Sequence, residues 1–445
     1  MRILHVLDHS PPHASAYSRR VMAVLRQQRA LGWQTCHLTG PHHRPPAPRA
    51  HTADGRATPA RWHFYRTAAA APGIERLHLI GAVHCLAHRL QQVVRLTRPD
   101  LLHAHSPLEN ALAALRVGRR AGLPVLFEAH APGPMSPPGS IWARQAPALH
   151  GDARGQVVGA CRAFAMRALE AWTAARAGAV VTNSEGMRRR LQAGGVAAGR
   201  ITVVPDGLVL ARYAVRGAIS GGHCDAHCGA HASETTTVAG HILIGASANS
   251  EQGFDQLLAA LAMVRQRHDA RLLVACDGGR IGALRQLAER RGLAAQVTAV
   301  LRAGDGARGA LAASAGWPPP LVSAAPTAQL HRLADIVVFC EAGMQPAAAP
   351  RKLLEAMARA CVIAATDTPA HRGVIEQGRS GLLFGAASPT ALADALEVLL
   401  ATRSRWPAMA HSARWFIEYQ RSWELCVARY GPVYERLLAA RRRSR

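Results

Sequence analysis

The stretch "PRKLLE" at residues 350–355 contains Lys352, the only lysine in the chain, and the other 52 of the 53 basic side chains are arginines. Pro350 suits the opening of a helix, which puts Lys352 in the first turn. Glu355, three residues on, shares its face. A helix N-terminus already favours phosphate, and a compact ammonium there is not interchangeable with a planar guanidinium. Gly245 closes the apolar run "ILIG", where a glycine turn lets backbone approach phosphates. His130 closes "LPVLFEAH" and His105 closes "DLLHAH", both at predicted strand ends. A different chemistry is offered by "HCDAHCGAH". It sets His223, Cys224, His227, Cys228 and His231 within nine positions, at spacings that can chelate zinc or copper. That run falls in a segment without periodicity, and no metal ligand is assigned from the sequence.

The elements that must hold these residues are legible as alternation. "RILHVLDH", the helix pattern "SAYSRRVMAVLRQQRALG" and "WQTCHLTG" give strand, helix, strand; "DLLHAHS", "LPVLFEAHA", "AVVTNS" and "ITVVPDG" continue the series. After Tyr213 the pattern breaks into a Gly-, Ser-, Thr- and His-rich stretch. It restarts with "ILIGAS", "RLLVACDGG", "ADIVVFC", "CVIAAT" and "GLLF". Repeated strand–helix–strand order predicts an α/β protein with parallel sheets covered on both faces. The expected domains are residues 1–212, a linker at 213–240, residues 241–412, and terminal helices at 413–445 that return to the first domain.

The chain has 445 residues, enough for two or three cores, and a formal net charge of +25. The charge points toward anionic membrane as a partner. No nucleic-acid-binding pattern accompanies it, so a specific nucleic acid is not expected, although an Arg-rich nucleic-acid binder stays an alternative. No apolar run reaches the ~18–20 residues of a membrane-spanning helix. "MRILHVLDHS" reads as a buried strand rather than a secretory leader. The nine cysteines are expected to be reduced thiols in a cytoplasmic protein.

The stretches "HVLDHS", "LRQQRALGW", "VTNSEGMRRRL", "ITVVPDG", "HRGVIEQGRSGLLF" and "ALADALEVLL" stand in an order and spacing that resembles the GT-B glycosyltransferases of family 4. More narrowly, the chain is similar to sugar transferases associated with exosortase (PEP-CTERM) exopolysaccharide systems. The resemblance implies two doubly wound, Rossmann-like domains facing a cleft, the first taking the acceptor and the second the nucleotide-sugar. It implies transfer of a hexose-type sugar to a glycan or polyprenyl-linked acceptor, with retention of configuration and without a cofactor or metal. Lys352 would meet the diphosphate, Glu355 the ribose hydroxyls and His130 a hydroxyl of the transferred sugar. The backbone at Gly245, Gly381 and Leu382 would line the donor end of the cleft, and residues 10–20 the acceptor. The expected place is the cytoplasm, with peripheral contact on the inner face of the membrane.

The chain departs from the family pattern at the donor-site motif E-x7-E. Ala347 stands eight positions before Glu355, and Gln252 stands near a position where many members have lysine. Ala16 replaces a loop glycine and disfavours a positive-φ turn there. These losses keep a second reading open, a catalytically degenerate GT-B protein that binds a nucleotide or a partner.

Overall fold

The computed structural model describes residues 1–443 apart from 12, 14, 42–61, 68–77, 131–152, 214–240, 249, 303–319, 324, 341–350 and 387. The histidine–cysteine run at 223–231, the linker beyond Tyr213, Ala347 and Pro350 lie outside the described residues. The chain divides into two compact units, Met1–Gly207 with Trp423–Arg445, and Leu208–Ser422. The return to the first unit falls at 422/423 rather than at 412/413, because Ala413 and Ile417 are built into the core of the second unit.

The first unit is a parallel seven-stranded sheet of β1 (Arg2–Leu7), β2 (Gln34–Thr39), β3 (Tyr65–Arg66), β4 (Leu101–His105), β5 (Val125–Ala129), β6 (Ala179–Thr182) and β7 (Ile201–Val203). Their spatial order is β3-β2-β1-β4-β5-β6-β7. Its helices are α1 (Ala16–Ala30), α2 (His78–Thr97), α3 (Leu108–Ala121), α4 (Ala153–Arg176) and α5 (Glu185–Ala193). Ser15 caps α1, its hydroxyl accepting from the Ser18 N–H, so Ala16 opens a helix rather than a left-handed turn. Successive strand residues face opposite ways. Leu4, Val6, Leu102, Ala104 and Phe127 therefore join Leu86, Leu90, Ala111 and Ala114 in an apolar core on one face. Ile3, Leu101, Leu126 and Val181 point the other way, toward Val24 of α1 and Trp423, Tyr430 and Tyr434 of the C-terminal segment. On that second face the alternation also turns His5, His103, His105 and Glu128 inward, and all four are buried.

The second unit repeats the design with β8 (Ile242–Ser247), β9 (Ala270–Ala275), β10 (Val297–Arg302), β11 (Leu321–Ser323), β12 (Ile336–Phe339), β13 (Val362–Thr366) and β14 (Leu382–Phe384). The order is β11-β10-β9-β8-β12-β13-β14, all parallel. Helices α6 (Glu251–Val264), α7 (Ile281–Arg290), α8 (Pro326–Leu333), α9 (Arg351–Ala358), α10 (Pro369–Arg372), α11 (Pro389–Ala401) and α12 (Trp406–Gln420) cover it. The last two helices of the chain, α13 (Trp423–Ala428) and α14 (Tyr430–Arg443), belong to the first unit. Among the described residues no helix is long and apolar enough to cross a membrane.

Gly245 does not end its strand. It lies inside β8, paired with Leu273 on β9 and Val337 on β12, with two further residues of strand before the turn. A Cβ there would stand 2.5 Å from the Ala334 Cβ and 2.8 Å from Leu330 Cδ2. The glycine therefore admits the end of α8 against the sheet, which is a packing role. Because the Ala334 Cβ can move only with its backbone, Gly245→Ala should cost about 1–3 kcal/mol of stability. Chemical denaturation of the variant checks this, and a cost below about 0.5 kcal/mol would show that the contact is slack.

Candidate functional site

In a doubly wound sheet ligands bind beyond the carboxyl ends of the strands, where the strand order reverses. In the second unit that point lies between β8 and β12. Helix α9 buries Leu353, Leu354, Ala356 and Met357 against the sheet and leaves Lys352 outside. The ammonium turns to the end of β8, where Lys352 Nζ donates to Ser247 Oγ at 2.7 Å. Glu355 is half-buried on the same helix. Its Oε1 accepts from Arg351 Nε at 2.8 Å and from the Tyr213 hydroxyl at 3.3 Å. Burial, and then the Glu355 charge, push the Tyr213 phenol up. Lys352 is thus brought to the reversal point, while Glu355 is engaged beside it by two side chains. Ser247 and Tyr213 carry no motif and escape sequence reasoning.

Gly381 stands just before β14, where a Cβ would lie 3.1 Å from the Ile363 carbonyl oxygen and 3.3 Å from Ile375 Cγ2. Leu382 opens that strand, pairs with Ala364 and packs against the core. Although Leu382 opens β14, the strand registers set it level with Ala246, one residue before Ser247, three strands away across the sheet. The structure gives Gly381 a close-packing role at the carboxyl-end level of the central strands.

In the first unit the order reverses between β1 and β4. Residues after β1 draw together there: His9 Nδ1 lies 2.8 Å from Asp8 Oδ2, His9 Nε2 lies 2.6 Å from Ser15 Oγ, and the Asp8 N–H donates to the Tyr17 hydroxyl at 3.0 Å. His130 follows β5. Its backbone N–H donates to Ser106 Oγ at 3.0 Å, and its Nε2 lies 2.7 Å from Glu128 Oε1. The side chain of His130 is 12% exposed, that of His105 1%. His105 therefore does not face an open surface as its strand-end position suggests; it belongs to the buried face.

That face is organised by Glu128. Oε1 accepts from Arg20 Nε at 3.0 Å, Arg20 Nη2 at 2.8 Å and His130, and Oε2 accepts from the Tyr430 hydroxyl at 2.7 Å. Arg20 also reaches Asp206 Oδ1 at 2.6 Å. Burial alone would raise the Glu128 carboxyl, but Arg20, His105 and the hydrogen bonds from His103 and His130 hold it well below the usual carboxylate range. Sequence reasoning missed Glu128. The available signal was a carboxylate inside "LPVLFEAH", an otherwise apolar strand, together with two histidines at alternate positions of "LLHAH".

A ring of contacts closes around the same carboxylate. His5 Nδ1 lies 3.0 Å from His105 Nε2, and His5 Nε2 lies 2.8 Å from Gln28 Oε1. Gln28 Nε2 donates to the Tyr434 hydroxyl at 2.9 Å, which meets His103 Nδ1 at 2.8 Å. His103 Nε2 and His105 Nδ1 then approach Glu128 Oε2 at 2.9 and 3.5 Å. Neutral imidazoles, a phenol and an amide each bring one proton to such a ring, and a carboxylate brings none. Whichever way the Gln28 amide turns, one contact lacks a proton. With Gln28 Nε2 and then the Tyr434 hydroxyl donating in turn toward His103 Nδ1, His103 Nε2–H donates to Glu128, and the shortfall falls on the longest contact, His105 Nδ1 to Glu128 Oε2. The triads His5–His103–His105 and His105–Glu128–His130 each bring ligand atoms within 4.8 Å of one another. The first unit also has a groove of about 670 Å³, at the amino ends of β5, β6 and β7, lined by Arg119, Arg200, Arg436 and Arg441. None of the expected site residues lies in it.

Burial, and then the neighbouring histidines, hold His5 and His105 well below 6.5, and burial takes His37 to about 4. An unfolded chain takes up protons near 6.5 that these folded imidazoles refuse. Their contribution to stability is therefore complete above about pH 6.5 and is lost as the pH falls toward the folded values. Glu128 acts in the same direction, contributing above about 4.5 and losing that contribution as its folded carboxyl protonates. Urea denaturation across a pH series should show stability falling below about pH 6.5, by up to about 1.4 kcal/mol per pH unit for each histidine. A flat profile from about pH 7 to 5 would contradict this burial of neutral rings.

Residues 15–207 match the family model described as a glycosyl transferase 4-like domain, and residues 240–402 match the model described as glycosyl transferases group 1. The first match ends where the first unit's opening segment ends. No curated protein matches the sequence. Among solved structures, a glycosyltransferase from Rickettsia africae aligns at 12% identity and a TM-score of 0.64, covering 98% of each chain. Anabaena HepE in complex with UDP aligns at 15% identity and 0.64, covering 98% of this chain and 100% of that one. The lipopolysaccharide outer core galactosyltransferase WaaB aligns at 12% identity and 0.62, covering 98% and 99%. Both domain matches and both seven-stranded sheets agree: the chain belongs to the GT-B glycosyltransferases, a glycosyl transferase 4-like domain followed by a group 1 domain.

Proposed function

We propose that this glycosyltransferase moves a sugar from a nucleotide-sugar to a glycan or polyprenyl-linked acceptor during polysaccharide assembly, with retention of configuration and without metal. The observation that carries the reading is the Lys352 ammonium held at the end of β8, at the strand-order reversal of the second unit. Loss of a nucleoside diphosphate develops negative charge, and Lys352 neutralises it at the mouth of α9. Glu355 takes the ribose hydroxyls, and His130 binds a hydroxyl of the transferred sugar. The leaving diphosphate accepts the proton of the acceptor hydroxyl. HepE holds UDP and UDP-glucose in its structures, which makes UDP the first probe for this chain.

The exosortase-type exopolysaccharide setting rests on the sequence resemblance alone. Peripheral membrane contact, taken from the cytoplasmic side, draws its support from α4. That helix turns Phe164 and Trp172 outward, 72% and 45% exposed, with Arg176 stacked on the Trp172 ring at 3.8 Å. Its Glu170 is turned inward to Arg190. Aromatic and arginine side chains on one outward face suit an anionic lipid surface.

Lys352→Met should weaken UDP binding in calorimetry by at least about tenfold, the scale of a lost hydrogen bond to a charged group. Unchanged affinity would remove the lysine from the site. Slow hydrolysis of UDP-glucose by the wild type separates an enzyme from a nucleotide-binding module that has lost turnover.

A further inference from the structure

The inference concerns Glu128, which rests on the reading of His130 as a sugar contact and deepens it. A carboxylate facing Arg20, Tyr430 and two more histidines has only lone pairs to offer. At 2.7 Å from Glu128 Oε1, His130 Nε2 must therefore carry the proton. In the neutral ring the other nitrogen, Nδ1, is then a lone pair, and it has no partner among the described residues. The ring cannot swing to exchange its nitrogens cheaply. Its backbone N–H is tied to Ser106, and Tyr17 packs edge-on at 6.1 Å between centroids.

We propose that Glu128 is a positioning residue that fixes His130 as the Nε2–H tautomer. In that neutral ring Nδ1 only accepts, and the group it takes from a ligand is a hydroxyl donor rather than a phosphate or carboxylate. Glu128 is itself held from three elements: its own strand β5, Arg20 on α1 and Tyr430 on α14. The acceptor character of His130 is thus set by the fold of the first unit before any ligand arrives. A neutral hexose satisfies such a nitrogen; an anionic sugar facing it would set lone pair against lone pair.

The direct test is a long-range proton–nitrogen correlation spectrum of the full chain labelled with 15N-histidine and free of ligand, the His130 signal being the one lost in His130→Asn. The expected pattern is a protonated Nε2 and an unprotonated Nδ1 at neutral pH, replaced by a tautomer mixture in Glu128→Gln. An Nδ1–H pattern in the wild type would overturn the proposal. So would zinc that survives dialysis and is lost in His130→Asn, because a metal-bound Nε2 carries no proton.

A functional arm uses UDP-glucose as donor. Both substitutions of this sugar contact should lower kcat/KM. His130→Arg, which can only donate, should fall at least about tenfold below His130→Asn, whose amide oxygen can still accept. An arginine variant as active as the asparagine variant would overturn the ligand class. Should the spectrum show the Nε2–H tautomer while no sugar is transferred, the proposed function fails and the role of Glu128 stands.

Discussion

One buried carboxylate determines much of the first unit. Glu128 is withdrawn from water on the inner face of β5, where an isolated charge would cost several kcal/mol even after relaxation. It is tolerable there because Arg20 approaches through two nitrogens and Tyr430 and His130 complete the shell. Those partners come from α1, α14 and the end of β5, elements far apart in sequence. Satisfying one charge therefore fixes where the first helix and the last helix lie on the sheet. Burial of Trp423, Tyr430 and Tyr434 against Ile3, Leu101 and Leu126 supplies the apolar part of the same docking.

The histidines around it follow from that arrangement. A second fixed cation beside Arg20 would be repelled, and burial disfavours charged imidazole in any case. His5, His103 and His105 are accordingly held neutral and hydrogen-bonded in a ring rather than charged. Neutral rings stack, as His103 and His105 do at 4.1 Å. The face thus packs like a core while keeping the directional bonds of a polar network, and directional bonds specify one geometry more narrowly than apolar contacts do.

The second unit solves a different problem. The cores of its sheet faces are apolar, from Ile244, Leu272 and Val338 on one side to Leu273, Val337 and Ile363 on the other. Its buried polar side chains, such as His331, Thr366 and His371, sit at helix and strand ends rather than in the middle of the sheet. Among the described residues Lys352 bonds to Ser247 and its side chain is exposed, so redirecting it toward an anionic ligand costs little. One unit holds an ion pair in its interior; the other keeps an exposed ammonium at its edge.

The sequence by itself determined the two doubly wound sheets, because short apolar runs alternating with helical periodicity leave few other ways to bury both. It also marked Lys352, because a lone lysine among arginines at the start of an amphipathic helix is a local feature. His130 was legible as a strand-end imidazole, but not what it is bonded to. Gly245 was misread, since its close neighbours Ala334 and Leu330 come from a helix about ninety residues away in the chain. Only the tertiary structure decided the Glu128 network, the burial of His105, and the meetings of Lys352 with Ser247 and Glu355 with Tyr213. Each of these joins residues that are distant along the chain, and spacing within a single strand or helix carries no record of which strand or helix will lie beside it.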